Sequence, residues 1–574
     1  MYVKTTTRKN KSGSEIRYLH LAHSEWDSAA GRSVPKILHS FGREDQLDRD
    51  AIKRLVASLS KLLDPADALT TTADTDLAFL ESRPYGGTFV LDQLWHRLNI
   101  PATITKLHRP RRGRPRHTTV TERVLFALVA GRALAPSSKL AAADWISHDV
   151  HIDGLPEIGE QACYRAMDWL HDVKDQLEIE VFRQTATLLD LEVDLLFFDT
   201  TSTYFEIEDA DEPVIRDERG HPDPDRQDPE RSWDDRRAAG FRTWGKSKDS
   251  REDLPQIVIG MAVTRTGIPV RVWCWPGNTG DQALIRQVKD DMRDWTLSRI
   301  VWVADRGFSS AENRRYLRKG DHHYIIGEKL RSNSPEIKAA LSRQGRYTDI
   351  TGNMRVKEVK VSEHERFIIC HNPDGAVRDA TVRDELVTKL EELIDGSDTL
   401  NAHDRGVLHG KISTKPGLNR FLRVTPGGLL RLDKAKVKSE ANLDGKYLLR
   451  CSDPHLSPED IAIGYKQLLE VERGWRDMKS IIDLRPVYHR LEERIRAHVV
   501  LCWLALLLIR IAENSTGNTW PNIRRHLDRL HVGTFTGPAG LFRRRTELSK
   551  PQRDLLAKLG IAAPKQIVEL KTPN

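Results

Sequence analysis

The run "DLLFFD", residues 194–199, most constrains the fold of this chain. Its interior is apolar at consecutive rather than alternate positions, which suits a strand buried on both faces and so demands a sheet covered on either side. "RIVWVAD", residues 299–305, repeats the design and also ends on an aspartate. Between them "QIVIGMAVTRTG" turns at Thr266-Gly267 into "IPVRVWCWPG", and a helical pattern covers about 281–293. A helix over Ser309–Arg318 and the strand-like "HHYIIGEKL" follow.

The order is three strands, a helix, a strand, a helix and a strand. It matches a ribonuclease H-like α/β core, in which three hairpin strands precede two alternating ones. The last helix of such a core should come next, so residues 331–450, with "VKEVKVSEHERFIICHN" and "GKYLLRC", are expected to form a mostly β insertion before it. A chain of 574 residues exceeds one ordinary core. The expected organisation is a small β-plus-helix unit at 1–75, a helical domain at 76–190, the first part of the α/β core at 191–330, the insertion, final core helices at 451–515 and a helical tail at 516–574. Residues 207–253, dense in charge and proline, are expected to be a solvated loop.

Asp199 and Asp305 close the two buried runs, and carboxyl ends of central strands are where open α/β sheets expose side chains to a crevice. A third carboxylate comes from "YKQLLEVERGWRDMKS", residues 465–480. On one helix, Tyr465, Leu468, Glu472, Trp475 and Lys479 share a face about 80° wide, so Glu472 stands where an apolar residue is expected. Three oxygen donors without His or Cys suit two Mg²⁺ ions, with Mn²⁺ as substitute. Such a pair supports phosphodiester hydrolysis and transesterification. Taken singly, each residue has a plain structural reading: a strand-end Asp caps a turn, and Glu472 pairs with Arg476 at i+4.

These residues and their spacing resemble the DDE transposases of bacterial insertion sequences, in the superfamily with a β-rich insertion before the catalytic glutamate. The family pattern Tyr, two residues, Arg, three residues, Glu, six residues, Lys is matched by Tyr465, Glu472 and Lys479, with Leu468 in place of Arg. "GKSKDSREDLPQIVIG", "PGNTGD", "ADRG", "LDGKY" and "LRPVYHR" resemble further family blocks. The resemblance implies that Asp199, Asp305 and Glu472 are the catalytic metal ligands, and that Tyr465 and Lys479 hold phosphates beside the scissile bond. Arg476, with Lys466 or Arg473, is a substitute for the missing Arg. It also implies double-stranded DNA as partner, both target and terminal inverted repeats, the latter read by the helical region 76–190 as a DNA-binding domain, with a homodimer holding two ends, in the bacterial cytoplasm at the nucleoid. A ribonuclease H-like nuclease without strand transfer and a DNA-binding remnant remain as alternatives.

The charge of +7 is modest, but clustered arginines matter more to a polyanion than the total. Lys246, Lys248 and Arg251 fall in "GKSKDSRED", a loop that either approaches DNA or is simply solvated. Arg112 and Arg114 of "RRGRPRH" could enter an A·T minor groove or belong to a basic linker. Five scattered cysteines exclude a disulfide framework and indicate a reducing compartment. "VVLCWLALLLI" is too short to cross a bilayer and is expected to be a buried helix, with His498 and Cys502 packed inside it. Trp273 and Trp275 share a strand face and are expected in the core.

Overall fold

The computed structural model describes every residue except 10–14, 61–77, 109–117, 191–193, 218, 224, 226–237, 294, 296–298, 333, 361, 363, 538–539 and 572–574. The chain divides into two compact units. One comprises residues 1–81, 533–544 and 567–574. It contains a three-stranded antiparallel sheet (Tyr2–Lys9, Glu15–Asp27, Arg32–Arg43) and the helix Arg49–Ser60. Strands Gly540–Arg545 and Ile567–Lys571 pair antiparallel. The tail expected to be helical is therefore partly β, its short stretches such as "IVELK" being strand-length and rich in β-branched residues.

The second unit, residues 82–532 and 545–566, is built on a nine-stranded sheet. After two shorter helices at Gly86–Arg97 and Ile100–Leu107, the elements that frame the site include helices α1 (Thr118–Leu134) and α2 (Glu160–Leu189) and strands β1 (Leu195–Tyr204), β2 (Gln256–Val263) and β3 (Pro269–Pro276). Next come α3 (Asp281–Asp291), β4 (Val301–Ala304), α4 (Ala311–Leu317) and β5 (His323–Glu328). Strands β6 (Thr348–Ile350), β7 (Met354–Lys360) and β8 (Arg366–His371), helix α5 (Pro373–Ile394) and strand β9 (Lys446–Cys451) follow. Helices α6 (Pro458–Lys466), α7 (Leu469–Ser480) and α8 (Glu492–Thr516) complete the site-bearing part.

The strand order is β6-β7-β8-β9-β5-β4-β1-β2-β3. Strand β4 runs parallel to both β1 and β5, whereas β1, β2 and β3 pair antiparallel in succession. Strands β2 and β3 are buried at every position, in keeping with their mostly apolar sequences, and the buried Arg271 of β3 is met by a carboxylate of α2. One face is covered by a core of Phe198, Trp273, Trp275, Trp302 and Phe308 with residues of α2 and α3. The indole N–H of Trp275 donates to Gln287 at 2.9 Å, which satisfies its one polar atom inside that core.

Residues 331–450 do not form a separate β domain. Strands β6 to β9 extend the central sheet beyond β5, and between β8 and β9 the chain is largely helical, with α5 its longest element. The edge of β5 is thereby paired rather than exposed, which removes a hazard that open sheets must otherwise manage. The helical region at 82–190 likewise belongs to the same unit as the sheet: Arg271 of β3 bonds Asp175 of α2 at 2.8 Å, and Trp520 donates to the carbonyl of Ala133 in α1 at 2.9 Å. The expected solvated loop at 207–253 is tied down in its described parts. Arg216 is buried and pairs with Glu492 at 3.0 Å, and Phe241 is 1% exposed. Helix α8 is the apolar helix expected to be buried, and it is.

Candidate active site

Asp199 stands midway along β1, opposite Met261 of β2, rather than at the strand's end. The strand runs on through "TTSTY" because β-branched and aromatic residues fit a pleated surface. Asp305 directly follows β4. The parallel register pairs Ala304 with Phe198, so the next step brings Asp305 alongside Asp199. Burial, then the negative charges of Asp281 and Asp305, push the Asp199 carboxyl up to about 6, against the pull of Lys248.

Asp281, at the start of α3, joins this group. The Thr200 hydroxyl donates to it at 2.7 Å. The Lys248 ammonium lies 3.8 Å from Asp199 and 3.5 Å from Asp281, and donates to the Thr200 carbonyl at 2.7 Å. A cation thus already sits between two of the crowded carboxylates.

Tyr465 reaches the group from α6: its hydroxyl donates to Asp305 at 3.2 Å. Its ring lies so close over Gly327 of β5 that a Cβ there would collide with the phenolic oxygen. Burial and the charges of Asp305 and Glu472 push the Tyr465 hydroxyl pKa upward, so it stays a donor.

The stretch from Tyr465 to Ser480 is two helices, not one. Gln467 and Leu468 form a tightened turn, with Leu468 N–H donating to Tyr465 and Glu470 N–H to Gln467, three-residue spacings typical of a 3₁₀ step. Tyr465 and Glu472 therefore do not share one helical stripe. Leu468 is 8% exposed, so this position turns into the core and not toward a partner. On α7 the buried stripe is Val471, Gly474, Trp475 and Met478, leaving Glu472 and Arg476 exposed on its flank. Among the described residues no ion pair joins Glu472 to Arg476.

Helix α7 is fixed from both sides. Gly474 rests on Met261 of β2, where an added Cβ would meet the methionine methyl at 2.6 Å. Buried Arg510 of α8 bonds Asp477 at 2.6 Å and Glu513 at 2.5 Å, which gives its charge two partners in the apolar interior. From the end of α7, Lys479 donates to Thr201 at 2.8 Å and to Asp249 at 2.9 Å. Asp249 also holds Arg485 at 2.6 Å.

The other expected contacts are less concentrated. Arg251 pairs with Asp253 at 2.8 Å and lies over the Tyr204 ring, while Lys246 is exposed in the same loop. Arg112 and Arg114 lie outside the described residues. His498 is packed, its Nε2 3.1 Å from the Leu484 carbonyl and 3.7 Å from Cys502. Among the described residues, no three His, Cys, Asp or Glu side chains stand at ready metal-ligating positions. Sequence reasoning missed Asp281, Asp249 and the paired Thr200 and Thr201. The first was signalled only as the acidic end of "PGNTGD", leading into a helix.

A family profile described as the transposase DDE domain matches residues 226–508. A second, described as the N-terminal domain of IS1634 family transposases, matches residues 3–69. The protein is thus a DNA transposase by class, and the chain belongs to the DDE transposases of bacterial insertion sequences. No curated protein matches it. A solved structure, the cryo-EM structure of piggyBac transposase synaptic complex with hairpin DNA, aligns with 76% of this chain and 79% of that one at 12% identity and a TM-score of 0.34.

Proposed function

We propose that the chain is a cut-and-paste transposase that binds terminal inverted repeats, cleaves at the element end and joins the freed 3′-hydroxyl to target DNA, two copies acting together. The catalytic carboxylates in this reading are Asp199, Asp305 and Glu472, in a ribonuclease H-like core whose order β3-β2-β1-β4-β5 puts β1 and β4 side by side. The observation that carries it is the register of the parallel strands β1 and β4, which sets Asp305 beside Asp199.

Divalent ions fit this donor set. It is all oxygen, its carboxylates crowd together, and Lys248 already offers a cation to Asp199 and Asp281. Asp199 and Asp305, with Glu472 from α7, would hold Mg²⁺ or Mn²⁺, which supply an activated water or hydroxyl and a stabilised leaving oxygen. The chain's own contribution is positioning. The Tyr465 hydroxyl steadies Asp305. Lys479, anchored on Thr201 and Asp249, presents an ammonium beside the carboxylates, where it can grip a DNA phosphate. Lys248, which must yield to an entering ion, would turn to the same backbone. Lys246, Arg251 and Arg476 are further phosphate contacts in this reading, as are Arg112 and Arg114.

The test is Asp305→Asn. Even outer-shell partners of a metal cost about 10- to 100-fold when removed, so loss of a ligand should lower Mg²⁺-dependent cleavage by more than about 10²-fold. Binding to an inverted-repeat duplex should persist. Cleavage at the wild-type rate would refute the assignment. A strand-transfer assay with a pre-cleaved end separates this reading from a nuclease: no joined product from the wild-type protein would leave only hydrolysis.

A further inference from the structure

Away from the carboxylates, Lys139 is 4% exposed and has no carboxylate partner among the described residues. It lines an open cavity of about 590 Å³, together with Ser137, Ser138, Tyr164, Tyr488 and His489. Arg132, 3% exposed, stands beside it and, among the described residues, donates to the backbone carbonyls of Ser137 and Asp483. The charges that act on Lys139 are those of Arg132, Cys502 and Cys163, while the carboxylates of Asp483, Asp168 and Glu160 act on the neighbouring Cys502, His489 and Cys163 and not on Lys139 itself. A buried ammonium with no carboxylate partner among the described residues is costly unless an anion enters from outside.

The cavity has an exposed aromatic at its rim. Tyr488, in "LRPVYHR", is 65% exposed. A second cavity, about 420 Å³, shares Tyr488 and His489 and is lined also by Tyr204, Arg242, Arg485 and Arg490. Arg485 bonds Asp249, which bonds Lys479, whose ammonium touches Thr201 two residues from Asp199. The two cavities thus adjoin at Tyr488 and His489, and the chain of contacts from Arg485 leads on toward Asp199; Arg242 and Arg485 are paired with Asp211 and Asp249.

We propose that this path holds a single DNA strand leaving the catalytic carboxylates, with one backbone phosphate seated at Lys139 and Arg132 and one base stacked on Tyr488. The chemistry is that of single-strand binding sites, a positive groove with an aromatic platform that accepts any base. Tyr488 is large, planar and solvent-facing, and an unpartnered ammonium behind it supplies the charge for the adjoining phosphate. The inference rests on the transposase reading only for the strand's origin. The site itself needs no metal and no catalysis.

The experiment uses the full-length protein without divalent metal and a fluorescent single-stranded oligonucleotide, titrated at several salt concentrations. Tyr488→Ala should weaken binding about tenfold, the effect of losing one base stack. Lys139→Met should weaken it similarly and make the log-log salt slope shallower by about 0.7, one phosphate on a single strand. Tyr488 is exposed, so its variant tests the site even if Lys139→Met fails to fold. Wild-type binding by the Tyr488→Ala protein overturns the proposal. A second arm titrates inorganic phosphate: if phosphate binding depends on Lys139 while oligonucleotide binding depends on neither residue, the cavity takes free phosphate and the strand assignment is wrong. Inactivity of the Asp305→Asn protein, or of the wild type, would leave these binding results untouched, so the two readings fail separately.

Discussion

The carboxylate site and the Lys139 cavity are electrostatic opposites within one unit of the fold. At the first, Asp199 is pushed up to about 6 by burial and by Asp281 and Asp305. At the second, Lys139 is pushed down to about 7 by burial and by Arg132. In both, folding concentrates one sign of charge and shifts the central group toward neutrality. Neither arrangement serves stability, because burial opposes the ionised form of the central group at both. Contrast the Arg510 network under α7, where Asp477 and Glu513 supply the opposite sign and the charge is purely structural. Crowded like charges therefore mark places where a ligand of the other sign completes the site, whereas paired buried charges mark anchors.

The largest effect expected from this comparison is at Lys139. Its folded pKa lies below the unfolded value, so the stability linked to its neutral form is present above pH 10.5 and is lost as pH falls through about 7. Lys139→Met has no such loss. The variant should be the more stable protein, with a gap that widens from pH 10 downward to roughly 3–5 kcal/mol near pH 6. Denaturant unfolding of the two proteins across this range checks it. A variant less stable than wild type at pH 6 would mean that Lys139 has a hidden counter-charge and is an anchor after all.

The opposite sign and the opposite pH direction are expected at Asp199. Its folded pKa is raised, so its contribution is fully present below pH 3.8 and is lost as pH rises through about 6. Asp199→Asn in metal-free protein should match wild type near pH 4 and exceed it by about 2–3 kcal/mol near pH 8. The same protein should lose cleavage, a trade of stability for function. Equal stability near pH 8 would show that Lys248, 3.8 Å away, already neutralises the site.

These two sites were unequally legible. Unbroken apolar runs announced the central strands, and the aspartates closing "DLLFFD" and "RIVWVAD" drew attention to positions that the fold sets side by side. The mid-strand place of Asp199 was hidden because "TTSTY" is neither clearly apolar nor clearly turn-like. The helix break at Gln467 and Leu468 left no sign, since neither residue is a breaker and tertiary contact of Leu468 decided the turn. Likewise "RDELVTKLEELID" showed one helix of the insertion, but nothing local told that its strands would extend the central sheet. Lys139 was invisible: a lysine before an alanine-rich helix looks solvated, and only packing by α2 and α8 buries it.

The smallest effect tests how the carboxylates couple. Asp281→Asn removes a negative charge that raises Asp199, and it frees Lys248, 3.5 Å from Asp281, to act on Asp199 alone. Both changes lower the Asp199 pKa. The asparagine oxygen still accepts from Thr200, whose hydroxyl donates to Asp281 at 2.7 Å, so the local geometry has no reason to move. The expected shift is less than about one unit, or about 1 kcal/mol of coupling. A double-mutant cycle of Asp199→Asn and Asp281→Asn, read from unfolding near pH 8, isolates it. Destabilising coupling in the wild type is the expected sign. No coupling would mean that solvent already screens the pair, and burial alone would then account for Asp199.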